Sequence, residues 1–238
     1  MKIMGYEVFT ESLDSVDLET KMVMNTINPH SYVTAKKDKV FEEALQNSDL
    51  LIPDGSGMVL AAKQIYNVSI KKIAGSDLHV FLLKKINEKH GKIFYMGASQ
   101  NTLDKIEERI KKDYPNINVE SYSPPFKPQF SQEEDDIIIK KINSFEPDVL
   151  FIGMTAPKQE KWLHQHKGKL NFKVASCIGA VFDFYAGTVE RPSQFWLDLH
   201  LEWLGRLVKE PKRMWRRNFV STPVFLLDVI LYKFGFRK

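Results

Sequence analysis

The 238-residue sequence holds one cysteine, Cys177, which excludes an internal disulfide and fits a reducing compartment. It has no run of 18 or more apolar residues, so no segment of it is expected to cross a bilayer as a helix. The opening residues, MKIMGYEVFTESLDS, lack a long apolar stretch, and no signal peptide is expected. GxxxxGK[ST] is absent, which excludes the P-loop kinases and ATPases. GSGMVL (55–60) lacks the last glycine of GxGxxG, so the dinucleotide fingerprint is incomplete. Asp-x-Asp occurs nowhere, which argues against holding a nucleotide diphosphate through a carboxylate-bound metal. His164 and His166 are two apart and face different sides of a helix, so they read as solvated histidines rather than metal ligands. No metal site is expected, and no cofactor is implied.

What is present is enough apolar material for one substantial core: 43% hydrophobic and 12% aromatic residues. Net charge is +4, unevenly placed. Residues 201–238 carry nine Lys/Arg against Glu202, Glu210 and Asp228, while the other 200 residues are close to neutral. A basic tail on a near-neutral body suits an anionic partner: membrane, nucleic acid or phosphate.

Short apolar runs at 22–27, 49–53, 92–97, 118–123, 148–153 and 173–179 read as strands. Amphipathic segments near 36–47, 56–66, 77–89, 99–113, 131–144 and 157–167 read as helices between them. The alternation predicts an α/β fold, a doubly wound, Rossmann-like and mostly parallel sheet flanked by helices. Such sheets put ligands at the carboxyl ends of their strands. SPPFKPQF (123–130) is the clearest loop, suited to moving over a site. From about residue 193 the pattern becomes helical, basic and aromatic without strands. The division expected is therefore a catalytic core over 1–192 and a helical, membrane-associating appendage over 193–238, broken or kinked at Pro211 and Pro223. A C-terminal helix packed on the core, or an oligomer contact, is the plainer reading of the same residues.

The strand ends carry the candidate chemistry. TINPH (26–30) sets a hydroxyl, Thr26, and an amide, Asn28, two apart; they can bind a sugar or base, or simply cap the next helix. LLIPDGSGMVLAAK (50–63) ends a strand at Pro53, puts a carboxylate at Asp54 and follows it with two glycines. A partly desolvated carboxylate there fits a general base; capping the helix from Ser56 is the ordinary alternative. MGASQN (96–101) offers backbone N–H groups after Gly97, with Ser99 either a ligand group or an N-cap. GMTAPKQEKW (153–162) follows Gly153 with Lys158, Gln159 and Glu160 at a helix opening, where lysine opposes the macrodipole and a bound anion would account for it. FDFYAG (182–187) sets Asp183 among aromatics, where it can also serve backbone N–H groups, and KKIAGSDL (71–78) pairs Lys71 and Lys72 before a glycine turn.

Taken in order, T-x-N, (L/I)-x-D-G-x-G, A-G-S-D-L, F-x-x-G, P-D-x-L-F-x-G-x-x-A-P-K-Q-E-K-W, F-D-F-x-A-G and L-E-W-L-x-R-L-x-x-E-P-x-R-x-W-R-R resemble the WecG/TagA/CpsF glycosyltransferases, glycosyltransferase family 26, from about Asn25 to Phe219. The resemblance implies an inverting, metal-independent transfer of a sugar from a UDP-sugar to a polyprenyl-diphosphate-linked amino sugar. It also implies work in cell-surface polysaccharide or teichoic acid synthesis, in the cytoplasm at the inner face of a bacterial membrane. Carried over residue by residue, Thr26 and Asn28 match the active-site pair and Asp54 the catalytic base. Gln159 matches the pocket glutamine, and Arg206, Arg213 and Arg216 match basic residues that engage the lipid diphosphate. The family usually has Glu-Arg where Lys71 and Lys72 stand; lysine keeps the charge at 72 and loses the bidentate fork.

The expected partners are a UDP-sugar donor, a polyprenyl-diphosphate-linked acceptor and the inner-membrane surface, without nucleic acid; self-association is expected only by analogy. The competing readings are a nucleotide-sugar-modifying enzyme on a Rossmann-type fold and a non-enzymatic peripheral membrane-binding module. The first lacks its dinucleotide fingerprint, and the second leaves the polar strand ends without a role.

Overall fold

Residues 1–189 and 211–236 are described by a computed structural model. Six strands form one parallel sheet: β3 (Met22–Ile27), β4 (Leu50–Pro53), β5 (Lys92–Gly97), β6 (Asn118–Tyr122), β7 (Val149–Gly153) and β8 (Val174–Cys177), in the order β4-β3-β8-β7-β5-β6. All six expected strands are present. A short antiparallel hairpin, β1 (Lys2–Ile3) and β2 (Tyr6–Glu7), precedes them. It turns at Met4 and Gly5, both with positive φ, as a two-residue hairpin turn of that hand requires.

Seven helices fill the crossovers, α1 (Pro29–Ala35), α2 (Lys39–Gln46), α3 (Ser56–Tyr66), α4 (Gly75–Glu88), α5 (Gln100–Asp113), α6 (Gln132–Phe145) and α7 (Lys158–His166), and α8 (Val181–Ala186) follows the last strand. The helix expected near 36–47 is α2, and α1 before it was not expected. Asn28 caps α1 with Pro29 at its first position, and Asp38 caps α2 by accepting from the Phe41 N–H.

β7 shows how the layers form, because all five of its residues are buried. Val149 and Phe151 join the core under α4, α5 and α8, whereas Leu150 and Ile152 join the core under α6 and α7. Each such side chain contributes about 1.5–3 kcal/mol by leaving water. Helices α5 and α7 therefore lie on opposite faces although they leave neighbouring strands, β5 and β7. A crevice opens where adjacent connections diverge in this way, here at Gly97 and Gly153.

Within the α4–α5–α8 layer sits a buried polar group. His79 on α4 shares a 2.6 Å hydrogen bond between Nε2 and the Tyr95 hydroxyl, and packs edge-on against Phe151 and Tyr185. Arg109 lies over the Tyr185 ring and donates to the Tyr185 carbonyl. Burial, aided by the Arg109 charge, lowers the His79 pKa to about 3, so the imidazole is neutral in the folded protein.

The described part of the C-terminal region is helical, as expected. α9 (Pro211–Arg216) runs through a π-turn over Arg217–Ser221 into α10 (Thr222–Lys233). Pro223 does not break this helix; it sits in the first turn of α10, immediately after the π-turn. The boundary expected at 192/193 falls outside the described residues. α10 packs on α1 and α3. Its Phe225 is fully buried among Ile27, Tyr32, Met58 and Ala61, and meets the Tyr32 ring edge-on at 5.4 Å. Buried Asp228 accepts from the Tyr32 hydroxyl and pairs with Lys36 of the α1 C-cap. No described helix is long and apolar enough to cross a membrane.

Two outcomes follow for stability. Phe225→Ala should cost about 3–5 kcal/mol, read as a lowered midpoint in chemical denaturation, because it empties a closed slot between three helices. Below pH 6.5 the unfolded chain takes up a proton on His79 that the folded core refuses until about pH 3. The stability advantage of the wild type over His79→Asn should therefore shrink on going from pH 7.5 to pH 4.5, measured by urea unfolding at the two values.

Candidate active site

The register of β3 and β4 builds the first half of the site. Ile27 pairs with Pro53, and the Asp54 N–H donates to the Ile27 carbonyl at 2.9 Å, extending the ladder by one bond. Thr26, Asn28 and Asp54 thus come together at the carboxyl ends of two adjacent strands, each of them half-buried. Asn28 Oδ1 accepts from the His30 and Ser31 N–H groups at 3.0 Å each, and the Ser31 hydroxyl accepts from the Asn28 N–H. The capping role is therefore real, and it leaves the Asn28 Nδ2 as the donor turned to other use. Asp54 does not hold the N-cap position of α3: that place is taken by Gly55, at φ +87°. Only glycine is at ease in that conformation, which swings the chain away from the carboxylate at once.

The Ile73 N–H donates to the Pro53 carbonyl at 3.1 Å and so lays the KKIAGSDL segment against the end of β4. Lys72 is exposed one residue before this bond. Pro29 and Gly57 close the gap between α1 and α3. A Cβ on Gly57 would stand 2.2 Å from Pro29 Cγ and 3.3 Å from the Phe225 ring.

The crevice between β5 and β7 makes the second half. The Ala98 N–H donates to the Gly153 carbonyl at 2.9 Å, and Gly97 has φ +114°. A Cβ on Gly97 would lie 2.5 Å from the Gly153 oxygen, and one on Gly153 would enter the Phe182 ring. Gly97 is demanded by close backbone approach, and Gly153 by the Phe182 ring packed against it. Ser99 is exposed and caps α5, accepting from the Thr102 N–H at 3.3 Å.

Lys158 is committed to a neighbour. Its Nζ donates to the Lys127 carbonyl at 2.6 Å and lies 3.7 Å from the centre of the Phe130 ring, and burial lowers its pKa. It ties down the base of loop 123–130, whose Ser123 hydroxyl also donates to the Ala98 carbonyl. Phe126 stands wholly exposed at the tip. Gln159 is buried: its Oε1 accepts from the Met154 N–H at 3.0 Å and its Nε2 donates to Glu160 Oε1 at 2.8 Å. Asp183 lies half-buried in the first turn of α8, its carboxylate 3.4 Å from the Thr188 hydroxyl.

The C-terminal helices reach the first half of the site. His30, in the first turn of α1, shares a 2.9 Å hydrogen bond between Nδ1 and the Ser221 hydroxyl. Burial, then the charges of Arg217 and Arg216, lower its pKa to about 4. Both arginines therefore stand near the start of α1, two residues from Asn28. Arg206 lies outside the described residues, as does the side chain of Arg213.

Arg217 was not singled out in the sequence, and burial gives Glu160 and His166 places that their sequence context does not show. Arg217 is the second half of the Arg-Arg pair whose first member, Arg216, was selected. Glu160 is buried, with its pKa raised to about 7 by desolvation and held back by the Gln159 hydrogen bond; nothing in its PKQEKW context distinguishes a buried carboxyl from a solvated one. His166 is not solvated: it packs beside the Trp162 ring, and its Nε2 lies 3.4 Å from the Asp135 carboxylate. Among the described residues no group of three or more His, Cys, Asp or Glu is placed to hold a metal ion.

Comparison with known proteins adds an independent line. A model of the glycosyl transferase WecG/TagA/CpsF family matches residues 3–238. An N-acetylglucosaminyldiphosphoundecaprenol N-acetyl-beta-D-mannosaminyltransferase of Bacillus spizizenii is 32% identical over 208 residues, 87% of this chain and 78% of the relative. The protein of the same description from Bacillus subtilis is 31% identical over 215 residues, 90% of this chain and 81% of the relative. One from Staphylococcus aureus is 27% identical over 213 residues, with 90% and 81% covered. With its motifs in order along a parallel α/β sheet and the family matched from residue 3 to the end, the chain belongs to the WecG/TagA/CpsF family and is a glycosyltransferase.

Proposed function

We propose that this enzyme transfers an N-acetylmannosamine-type hexose from a UDP-sugar to an N-acetylglucosamine carried on a polyprenyl diphosphate, with inversion and without a metal ion, at the inner face of a bacterial membrane. The observation that carries the reading is the meeting of Thr26, Asn28 and Asp54 at the ends of β3 and β4, in a chain whose relatives are described as N-acetylmannosaminyltransferases.

The geometry supports a single displacement. Asp54 takes the proton of the acceptor hydroxyl as that oxygen attacks the anomeric carbon, and the bond to the donor diphosphate breaks on the opposite face. Thr26 and the Nδ2 of Asn28 flank the carboxylate and suit the sugar hydroxyls. The leaving diphosphate takes its neutralisation from fixed dipoles and cations: the N–H groups in the first turn of α5, beyond the committed Ala98 N–H, together with Lys72 and the arginines of the C-terminal helices. Because Lys158 serves loop 123–130, Lys72, Arg216 and Arg217 are the better sources of positive charge.

Membrane residence rests on the outer surface of the C-terminal helices. Trp215, Phe219, Val220, Leu227, Ile230, Phe234 and Phe236 are all exposed there, a concentration of apolar surface beyond the ordinary scatter of single residues.

Two measurements test this. Asp54→Asn should lower transfer to a short-chain polyprenyl-diphosphate-N-acetylglucosamine acceptor by 100-fold or more, with an unchanged melting temperature, while EDTA leaves the wild-type rate unaltered; near wild-type turnover in the variant removes the base. Leu227→Glu combined with Ile230→Glu should weaken co-flotation with anionic vesicles at least tenfold, and full retention on the vesicles rejects the membrane-facing surface.

A further inference from the structure

Gln159 has a side-chain amide whose two ends are both spoken for. Its Oε1 receives the Met154 N–H, from the turn that follows β7, and one of its two N–H bonds goes to Glu160 Oε1. The amide also lies against Gly179, in the turn after β8. A Cβ there would sit 3.5 Å from both amide heteroatoms, so no side chain comes between the amide and this turn. A glutamine amide is otherwise free to flip, exchanging donor for acceptor at little cost. Here a donor on one side and a carboxyl on the other fix the same orientation. The remaining N–H of Nε2 is then the only donor the Gln159 side chain has left to offer a ligand.

Glu160 is an expensive way to secure that hydrogen bond. It is buried beneath α7, near enough to Cys177 of β8 for its charge to raise the thiol pKa after burial itself. Its second oxygen, Oε2, is buried with no hydrogen-bond partner among the described residues. Leaving a buried polar atom unmade costs on the order of 1–3 kcal/mol, and an apolar side chain of similar volume would avoid that cost. Packing alone gives no reason for a carboxyl at this position. Among the described side chains its one hydrogen-bond partner is the Gln159 amide; its own backbone N–H is the other polar group beside it.

We infer that Glu160 is a positioning residue for glycosyl transfer. It holds Gln159 with nitrogen toward the crevice, so that Gln159 serves as an N–H donor to an acceptor oxygen of the substrate, of the phosphoryl, carbonyl or hydroxyl class. The inference rests on the reading of Gln159 as a pocket residue.

The test is a double-substitution cycle in the full-length enzyme, assayed for transfer. Gln159→Ala is expected to lower kcat/KM about tenfold or more. Glu160→Leu should produce a comparable loss on its own and little further loss in the Gln159→Ala background, because its effect runs through that amide. Glu160→Gln keeps a carbonyl facing Gln159 and should restore kcat/KM to within about threefold of wild type. A Gln159→Ala enzyme with normal turnover overturns the pocket reading, and the inference with it. An impaired Gln159→Ala enzyme to which Glu160→Leu adds its full independent loss overturns the positioning role alone, as does a folded Glu160→Leu enzyme that transfers normally. Should Glu160→Leu fail to fold, the Gln159 side-chain resonances in ¹⁵N-labelled wild-type protein, identified by their loss in Gln159→Ala, decide the question. Two distinct, slowly exchanging N–H protons are expected, and a freely rotating, solvent-exchanging amide rejects the bond.

Discussion

The site hangs on one backbone hydrogen bond at the edge of the sheet, from the Asp54 N–H to the Ile27 carbonyl. It extends the β3–β4 ladder beyond its last paired residues and sets two departing chains at the same level. From there Asn28 turns into a capped helix, and Gly55 swings the other chain away from Asp54. Parallel strands cannot be joined by a tight turn, so their carboxyl ends always release chain toward the same side. What this sheet adds is that β3 and β4 release a hydroxyl, an amide and a carboxylate together. A one-residue slip in the pairing would turn these side chains to the other face and dissolve the group.

The second half of the site obeys a different constraint, that of close backbone approach. Gly97 and Gly153 meet across β5 and β7 where the following helices part to opposite faces, and each glycine leaves room that a methyl group would fill. Functional groups there are mostly backbone N–H groups. The two halves thus divide the chemistry between side chains on β3 and β4 and main-chain dipoles on β5 and β7. In the proposed mechanism this matches a hydroxyl to be deprotonated on one side and a diphosphate to be held on the other.

The strands and most helices were legible because apolar periodicity and turn residues agreed on them. The missed elements were short or looked like loops. β1 and β2 are two residues each, and α1 begins at a proline inside a stretch whose Thr, Asn and Ser also spell a turn. The grouping of candidate residues was legible where strand-end position and residue type coincided: Thr26, Asn28 and Asp54 do come together at adjacent strand ends. Roles were illegible where burial decided them. Lys158 reads as an anion ligand from its place at a helix start, yet its ammonium meets the carbonyl and ring of loop 123–130. Glu160 reads as one more charge on a helix, and no local pattern shows that it faces inward. His166 similarly gave no sign that Asp135, 31 residues earlier, would lie beside it.

The slot that Phe225 fills has a consequence in time as well as space. Its walls, on β3, α1 and α3, are complete by Ala62, some 160 residues before Phe225 emerges. At bacterial or eukaryotic synthesis rates of about 5–20 residues per second, that interval lasts roughly 10–30 s. During it the apolar residues that wall the slot, beside the strands that carry the candidate groups, are without the ring that covers them in the folded protein. The residues that wall the slot are thus synthesised early and the ring that closes it late, after β8 has supplied the other neighbour of β3.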